Sequence, residues 1–301
     1  MMKRWAILLC LLAAAALGGC PADWQDPFRS SGQDEPDPSL VPVAADGPEA
    51  AGDRKYFLVV RVKMVTISLP VGAISGSEQL WGYLDEERVD AIRSASLGRN
   101  GLRVGLAREA DWPDVASVLE QMTGRQLKTT TLISRPGEPL TVALRTRQPA
   151  QTVFVFYDDR TLAGRDYPPG DNILAMSCTL NEDDPTQIIL TGLPQIRTTR
   201  QRSRFVSGPG GAMVVSRPDF YSFDALTFQV KAPAKSVLII GPSARSYRPS
   251  SVGNHFLIHE KSGLKFETVI VLIPEVFAAP LPSQPTPSGG LGPPGGVRTR
   301  P

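Results

Sequence analysis

The stretch "ETVIVLIPEVF", Glu267 to Phe277, is dense in β-branched and apolar residues, and it reads as a strand rather than a helix. It is the last of a series. Working back along the chain, the same short pattern between turn residues recurs at "NHFLIH" (254–259), "SVLIIG" (236–241), "LTFQVKA" (226–232), "AMVVS" (212–216) and "TQIILTGLPQI" (186–196). It continues back through "NILAMSCTL" (172–180), "QTVFVFYD" (151–158), "LTVALRT" (140–146) and "KTTTLIS" (128–134). Prolines and the clusters "PGEP", "YPPGD", "GPGG" and "KAPAKS" punctuate the series, and no helical period competes with it. Residues 126–278 are therefore expected to form a mainly antiparallel β domain, a sandwich or a curved sheet.

The preceding residues change style. "YFLVVRVKMVTISLP", Tyr56 to Pro70, predicts one long or two short strands. Ser77 is placed to cap a helix carrying Leu80, Trp81 and Leu84, and Glu86 to Leu97 continues the helical spacing with Val89 and Ile92 until Asn100-Gly101 stops it. Leu102, Val104 and Leu106 alternate as a half-buried strand. Asp111 then caps a helix whose Val115, Val118, Leu119 and Met122 form one apolar stripe. Residues 54–125 are read as a small α/β module, and the fold class as α+β.

The ends differ in composition from the body. Lys3 and Arg4 precede an apolar run of 13 residues, Trp5 to Leu17, which is short of the ~20 residues that a membrane-spanning helix needs. With Gly18 and Gly19 behind it, the run has the layout of a secretory leader over residues 1–19. Leu17-Gly18-Gly19-Cys20 resembles the lipobox of bacterial lipoproteins. That resemblance implies a diacylglyceryl group on the Cys20 sulfur, cleavage before Cys20 and acylation of the new amino group. Two or more acyl chains make membrane attachment effectively stable. Pro21 to Asp53 holds six prolines and eight acidic residues, so 20–53 is read as the acylated cysteine and a disordered acidic tether. Residues 279–301, rich in Pro and Gly, are read as a disordered tail. Cys10 would leave with the leader, which makes Cys178 the one remaining thiol and leaves the body to rely on its core.

The end of the body carries a second resemblance. "LTFQVKAPAKSVLIIGPS", Leu226 to Ser243, followed by "KFETVIVLIPEVF", Lys265 to Phe277, resembles the closing strands of bacterial secretins. The helix-strand-helix pattern around "NGLRVGL" is similar to the ring modules that precede a secretin barrel. The departures are a Gly241-Pro242 where secretins carry two glycines and "RPSSVGNHFLIHE" in place of their next proline-rich segment. A pore also needs long amphipathic hairpins, and Leu127 to Ser236 is read as too short for them. The resemblance implies envelope assembly or ring association rather than a working channel.

No catalytic constellation emerges, and no cofactor or metal is expected. His255 and His259, if both lie on one strand, are about 13 Å apart, too far for one ion. The acidic pairs at Asp158-Asp159 and in "NEDDP" (181–185) read as turns. Ser77 and Ser207 lack a nucleophile elbow, and "GPGG" lacks the Lys of a phosphate loop. The one cluster retained is Arg197, Arg200, Arg202 and Arg204 in "IRTTRQRSRF", four guanidiniums able to meet lipid headgroups, cell-wall carboxylates or an acidic protein surface. A net charge of +2 argues against nucleic acid as the main partner. The sequence is thus read as a non-enzymatic lipoprotein of the cell envelope, with the outer membrane facing the periplasm favoured. Its expected partners are the membrane through its acyl chains and envelope or secretion-system proteins. The alternative is a lipoprotein that binds a small ligand or glycan.

Overall fold

The computed structural model describes residues 41–42, 56–157, 161–184, 186–208 and 211–280. The leader, Cys20, most of the acidic tether, Asp158-Asp159 and the tail from residue 281 lie outside the described residues. In chain order the strands are β1 (Val41–Pro42), β2 (Tyr56–Pro70), β3 (Leu102–Ala107), β4 (Thr129–Ser134), β5 (Leu140–Gln148), β6 (Gln151–Phe156) and β7 (Leu162–Tyr167). They continue as β8 (Gly170–Leu180), β9 (Gln187–Gly208), β10 (Gly211–Ser222), β11 (Phe228–Pro233), β12 (Val237–Pro242), β13 (Ile258–Lys261) and β14 (Leu264–Pro280). The helices are α1 (Glu78–Trp81), α2 (Ala91–Arg99), α3 (Trp112–Thr123) and α4 (Val252–Leu257).

Strand β14 explains the architecture. Its apolar run does not alternate because both of its faces are covered. Leu238 and Ile240 of β12 and Ile270 and Leu272 of β14 pack with Val142, Leu174, Met176 and Leu190 of a second sheet. On the opposite face, Val237, Ile239, Val269 and Val271 pack with Leu80, Trp81, Val115 and Leu119 from α1 and α3. The layers are helices, a seven-stranded sheet in the order β3-β12-β14-β2-β4 with β1 and β13 also on β14, and a five-stranded sheet in the order β10-β9-β8-β5 with β11 on β9. All their pairings are antiparallel, so the fold is α+β with a sandwich at its centre.

Several expectations change. The division at 125/126 does not separate two folding units: β2 and β3, from before it, lie in one sheet with β12 and β14, from after it. The segment 254–259 is not a strand throughout, because Ser251 caps a helix by accepting from Asn254 N at 3.2 Å and β13 begins only at Ile258. Ser77 does cap α1, accepting from Leu80 N at 3.1 Å, but α2 starts afresh at an Asp90 cap and leaves Ile92 80% exposed. Asp111 makes no side-chain cap; its carboxylate pairs with Arg108 instead. Strand β7 had no apolar alternation to reveal it. Val41–Pro42 of the presumed tether pairs with Ala278 and Phe277, and β14 runs two residues into the presumed tail. In "NEDDP", Asp184 accepts from Thr186 N, Thr186 Oγ1 and Gln187 Nε2, which closes a turn as expected.

Candidate functional site: a projecting hairpin

The largest departure is the length of β9 and β10. In its first half β9 is an interior strand: β8 pairs with it from Leu180↔Ile188 to Gly170↔Thr198, and Ile188, Leu190, Ile196 and Thr198 are buried. Beyond Thr198, β8 is no longer beside it. The strand continues to Gly208 with β10 as its one neighbour, in register from Gln201↔Pro218 to Gly208↔Gly211. Ten residues at ~3.3 Å each carry this arm about 30 Å past the sheet. Among the described residues, β10 and the outer half of β9 each present an unpaired edge. A two-stranded ribbon without cover is marginally stable in water at best, so the arm is an element that calls for a partner.

The arm begins at an irregularity. Between Pro218 and Phe220 the register shifts, and Thr198 Oγ1 accepts from Asp219 N at 3.3 Å while donating to Arg200 O at 2.9 Å. Above this point the register sets the two faces. Gln201↔Pro218, Ser203↔Ser216 and Phe205↔Val214 share one face; Arg202↔Arg217, Arg204↔Val215 and Val206↔Met213 share the other. Directly opposed like charges repel, and Asp219 Oδ2, 3.2 Å from Arg202 Nε, moderates the Arg202/Arg217 pair. A groove at the base of the arm is lined by Val206, Val215 and Arg217 of this face together with Pro218, Asp219 and Phe220. Toward the tip no residue from Phe205 to Ser216 is charged. There Phe205 is 83% exposed, Val214 60% and Met213 58%.

The four predicted arginines do not form one cluster. Arg197 lies below the irregularity, where its guanidinium meets Asp171 at 2.7 Å and ties β9 to β8. Burial alone would raise the Asp171 carboxyl, but the hydrogen bonds from Arg147 N and Arg197 hold it below the usual carboxylate value. Arg200 and Arg202 are exposed on the arm, and Arg204 follows them in register with Val215. The sequence reading missed Arg217 and the apolar tip. The signal was present in "RQRSRFVSGPGGAMVVSR": apolar residues on both sides of a Gly/Pro stretch, and arginines on both sides of those.

The other candidates serve the fold. His255 lies on α4 with Nε2 at 2.9 Å from Thr152 O, and His259 on β13 stacks against Phe266; burial lowers both imidazoles. Cys178 is buried between the sheets, and its thiol is pushed up to about 12 by burial. The fully buried Glu267 accepts from the backbone N–H groups of Ile74 and Ser75 and from Ser75 Oγ, which fixes the β2–α1 turn to β14. Among the described residues no helix is long and apolar enough to cross a membrane, and no three His, Cys, Asp or Glu residues gather as a metal site.

No family model matches the chain, and no curated protein matches it. Among solved structures it is similar to the secretin InvG of the Salmonella SPI-1 type III secretion injectisome, with 9% identity, 78% of this chain and 67% of that chain covered, and a TM-score of 0.16. It is also similar to the type IV competence pilus secretin PilQ of V. cholerae, with 12% identity, 75% and 60% covered and a TM-score of 0.19. A third similarity is to the type II secretion system outer membrane complex of Klebsiella pneumoniae, which contains PulD, PulS and the PulC HR domain. It has 9% identity, 75% and 40% covered and a TM-score of 0.19. The chain thus spans 40 to 67% of the length of these three chains.

Proposed function

We propose that this chain is a non-enzymatic assembly protein of the bacterial cell envelope, held to a membrane by acyl chains on Cys20 and joined to further copies of itself through the β9–β10 arm. The observation that carries the reading is the pair of unpaired strand edges on the arm. An uncovered edge is a template for another strand, and closure into a ring or barrel removes such edges. Pairing of the β10 edge of one copy with the outer β9 edge of the next is head-to-tail, the type of contact that closes into rings when the rotation per copy permits. The likeness of "LTFQVKAPAKSVLIIGPS" and "TVIVLIP" to secretin closing strands supports the same reading. The projecting arm also removes the objection that Leu127 to Ser236 is too short for a long hairpin.

The test is the mass of the purified chain by light scattering, with and without residues 199–218 replaced by an Asn-Gly turn. The full arm should give a multimer and the shortened arm a monomer. A monomer in both cases, in detergent as well as in buffer, would refute the assembly role. The anchor is tested separately: Cys20→Ser should leave uncleaved or soluble protein, and normal processing with full membrane retention would refute lipidation.

A further inference from the structure

Strand edges are not all that the arm exposes, and the pattern along its length has a meaning independent of copy-to-copy pairing. From its base outward it reads as an arginine zone and then an uncharged zone that runs to the strand ends at Gly208 and Gly211. Arg200, Arg202 and Arg217 are exposed in the first zone. Phe205, Val206, Met213 and Val214 are 46% to 83% exposed in the second. Arg202 and Arg217 are opposite one another, and each is three residues below Phe205 or Val214, which is about 10 Å along a strand.

We infer that this arm is a membrane-contact element: its tip enters the headgroup and acyl boundary of an anionic bilayer, and Arg200, Arg202 and Arg217 hold the lipid phosphates. Two magnitudes set the depth. A spanning strand needs 9–11 residues, whereas the uncharged zone supplies four on β9 (205–208) and six on β10 (211–216), so the arm's end dips and does not cross. In a single copy the unpaired edges set the same limit, because exposed backbone N–H and C=O groups are costly in hydrocarbon and tolerable among headgroups. Surface-seeking apolar elements enter by about 5–10 Å, and the three-residue step from Arg202 to Phe205, or from Arg217 to Val214, is about 10 Å along the strand. The occupant is fixed by charge. The only carboxylate in the groove is Asp219 at the base, engaged with Arg202, while the guanidiniums above it face anions of the kind that an anionic bilayer presents in a plane.

The experiment is flotation of the unlipidated chain, from residue 20 onward with Cys20→Ser, on vesicles of phosphatidylglycerol with phosphatidylethanolamine and on vesicles of phosphatidylcholine alone. The chain should float with the anionic vesicles, bind the neutral ones far less, and lose binding as salt rises. Arg202→Gln and Arg217→Gln should each lower the partition about fivefold, the equivalent of ~1 kcal/mol for one arginine near the surface. Phe205→Asp with Val214→Asp should abolish it while the thermal unfolding of the body is unchanged. Failure of the parent chain to float on anionic vesicles would overturn the inference, as would flotation that the double aspartate variant does not affect. Assembly is scored in the absence of vesicles by light scattering, so a monomer that floats, or a multimer that does not, tells the two failures apart.

Discussion

Strand β14 and the outer half of β9 are both long antiparallel strands, yet one is covered on both faces and the other on neither. Val269, Ile270 and Val271 are all fully buried, divided between a sheet below and helices above. Phe205 is the most exposed large apolar residue of those described, at 83%, and Arg200 and Arg202 are open to solvent beside it. The difference lies in what surrounds the two ribbons rather than in their backbones. Burial of apolar surface holds β14, whereas the arm is held by its ladder and the Arg202–Asp219 pair, and its apolar side chains have no cover among the described residues. In the proposed reading the body is a mount, and the arm is the part with chemistry to offer a partner.

The strongest way to sharpen this contrast is to remove the same ring from both regions. Phe228 opens β11 and is fully enclosed against β9, where Gly192 leaves room for it; a Cβ at position 192 would lie 2.2 Å from the Phe228 ring. Phe228→Ala should cost about 3–5 kcal/mol, read as a fall in the urea midpoint with an unchanged slope. A cost below 1 kcal/mol, flagged by the usual scale of ~1 kcal/mol for an average substitution, would mean that the sandwich is not the source of stability.

Next in size is the polar tie of the helical layer. Glu267→Ala would leave the backbone N–H groups of Ile74 and Ser75 buried without their acceptor, at a cost of roughly 1–3 kcal/mol for each unsatisfied group. Amide hydrogen exchange should show the loosening at Ile74 and Ser75. If exchange there stays as slow as in β14, the turn is fixed by packing of Trp81 and Ile74 and not by the carboxylate.

How much of this was legible in the sequence follows the same division. Strands that bury a face announced themselves through apolar residues, so "TVIVLIP" and "SVLIIG" were read correctly. The helix α4 was hidden because "HFLI" suits either state, and the decision is tertiary: Gly253 packs against Gly101 so closely that a Cβ there would lie 2.1 Å from the Gly101 carbonyl oxygen. Strand β7 was hidden because "LAGRDY" has no pattern of its own; it is held by β6, with the Phe154 ring lying over Gly164. The reading of β9 ended at Ile196, where the apolar residues end, although buried positions alternate to Thr198 and the ladder runs on to Gly208. For the site, the arginines were noticed by composition, but pairing with β10 decides which belong together. It separates Arg197 and brings in Arg217.

A smaller effect is expected from acid. Burial by itself would raise the Glu275 carboxyl, but the hydrogen bonds from Arg61 at 2.6 Å and Lys63 at 3.0 Å hold it below its ordinary value. A carboxylate with a lowered folded value contributes its stability fully above its unfolded value, about 4.3, and loses it as pH falls through the folded value. Glu275→Gln should therefore flatten the acid limb of stability below about pH 4.3 in unfolding curves taken at successive pH values. An acid limb unchanged by this substitution would assign the limb to other carboxylates, Asp171 first among them.

The smallest effect is the most telling. Phe205→Ala removes the same ring as Phe228→Ala, but from a side chain that is 83% exposed and has no cover among the described residues. A surface substitution away from any buried contact stays within about 0.5 kcal/mol, so the urea midpoint of the unlipidated chain, at a concentration where it is monomeric, should not move. The same substitution should weaken whatever the arm engages, whether that is scored as vesicle flotation or as multimer mass. A midpoint that falls by an amount comparable to the Phe228 variant would show that the arm folds back onto the body in solution and has its own cover. The contrast between a buried mount and a free arm would then fail at its foundation, because both proposals, pairing through the arm's edges and contact of Phe205 with a membrane, start from an arm that stands free of the body.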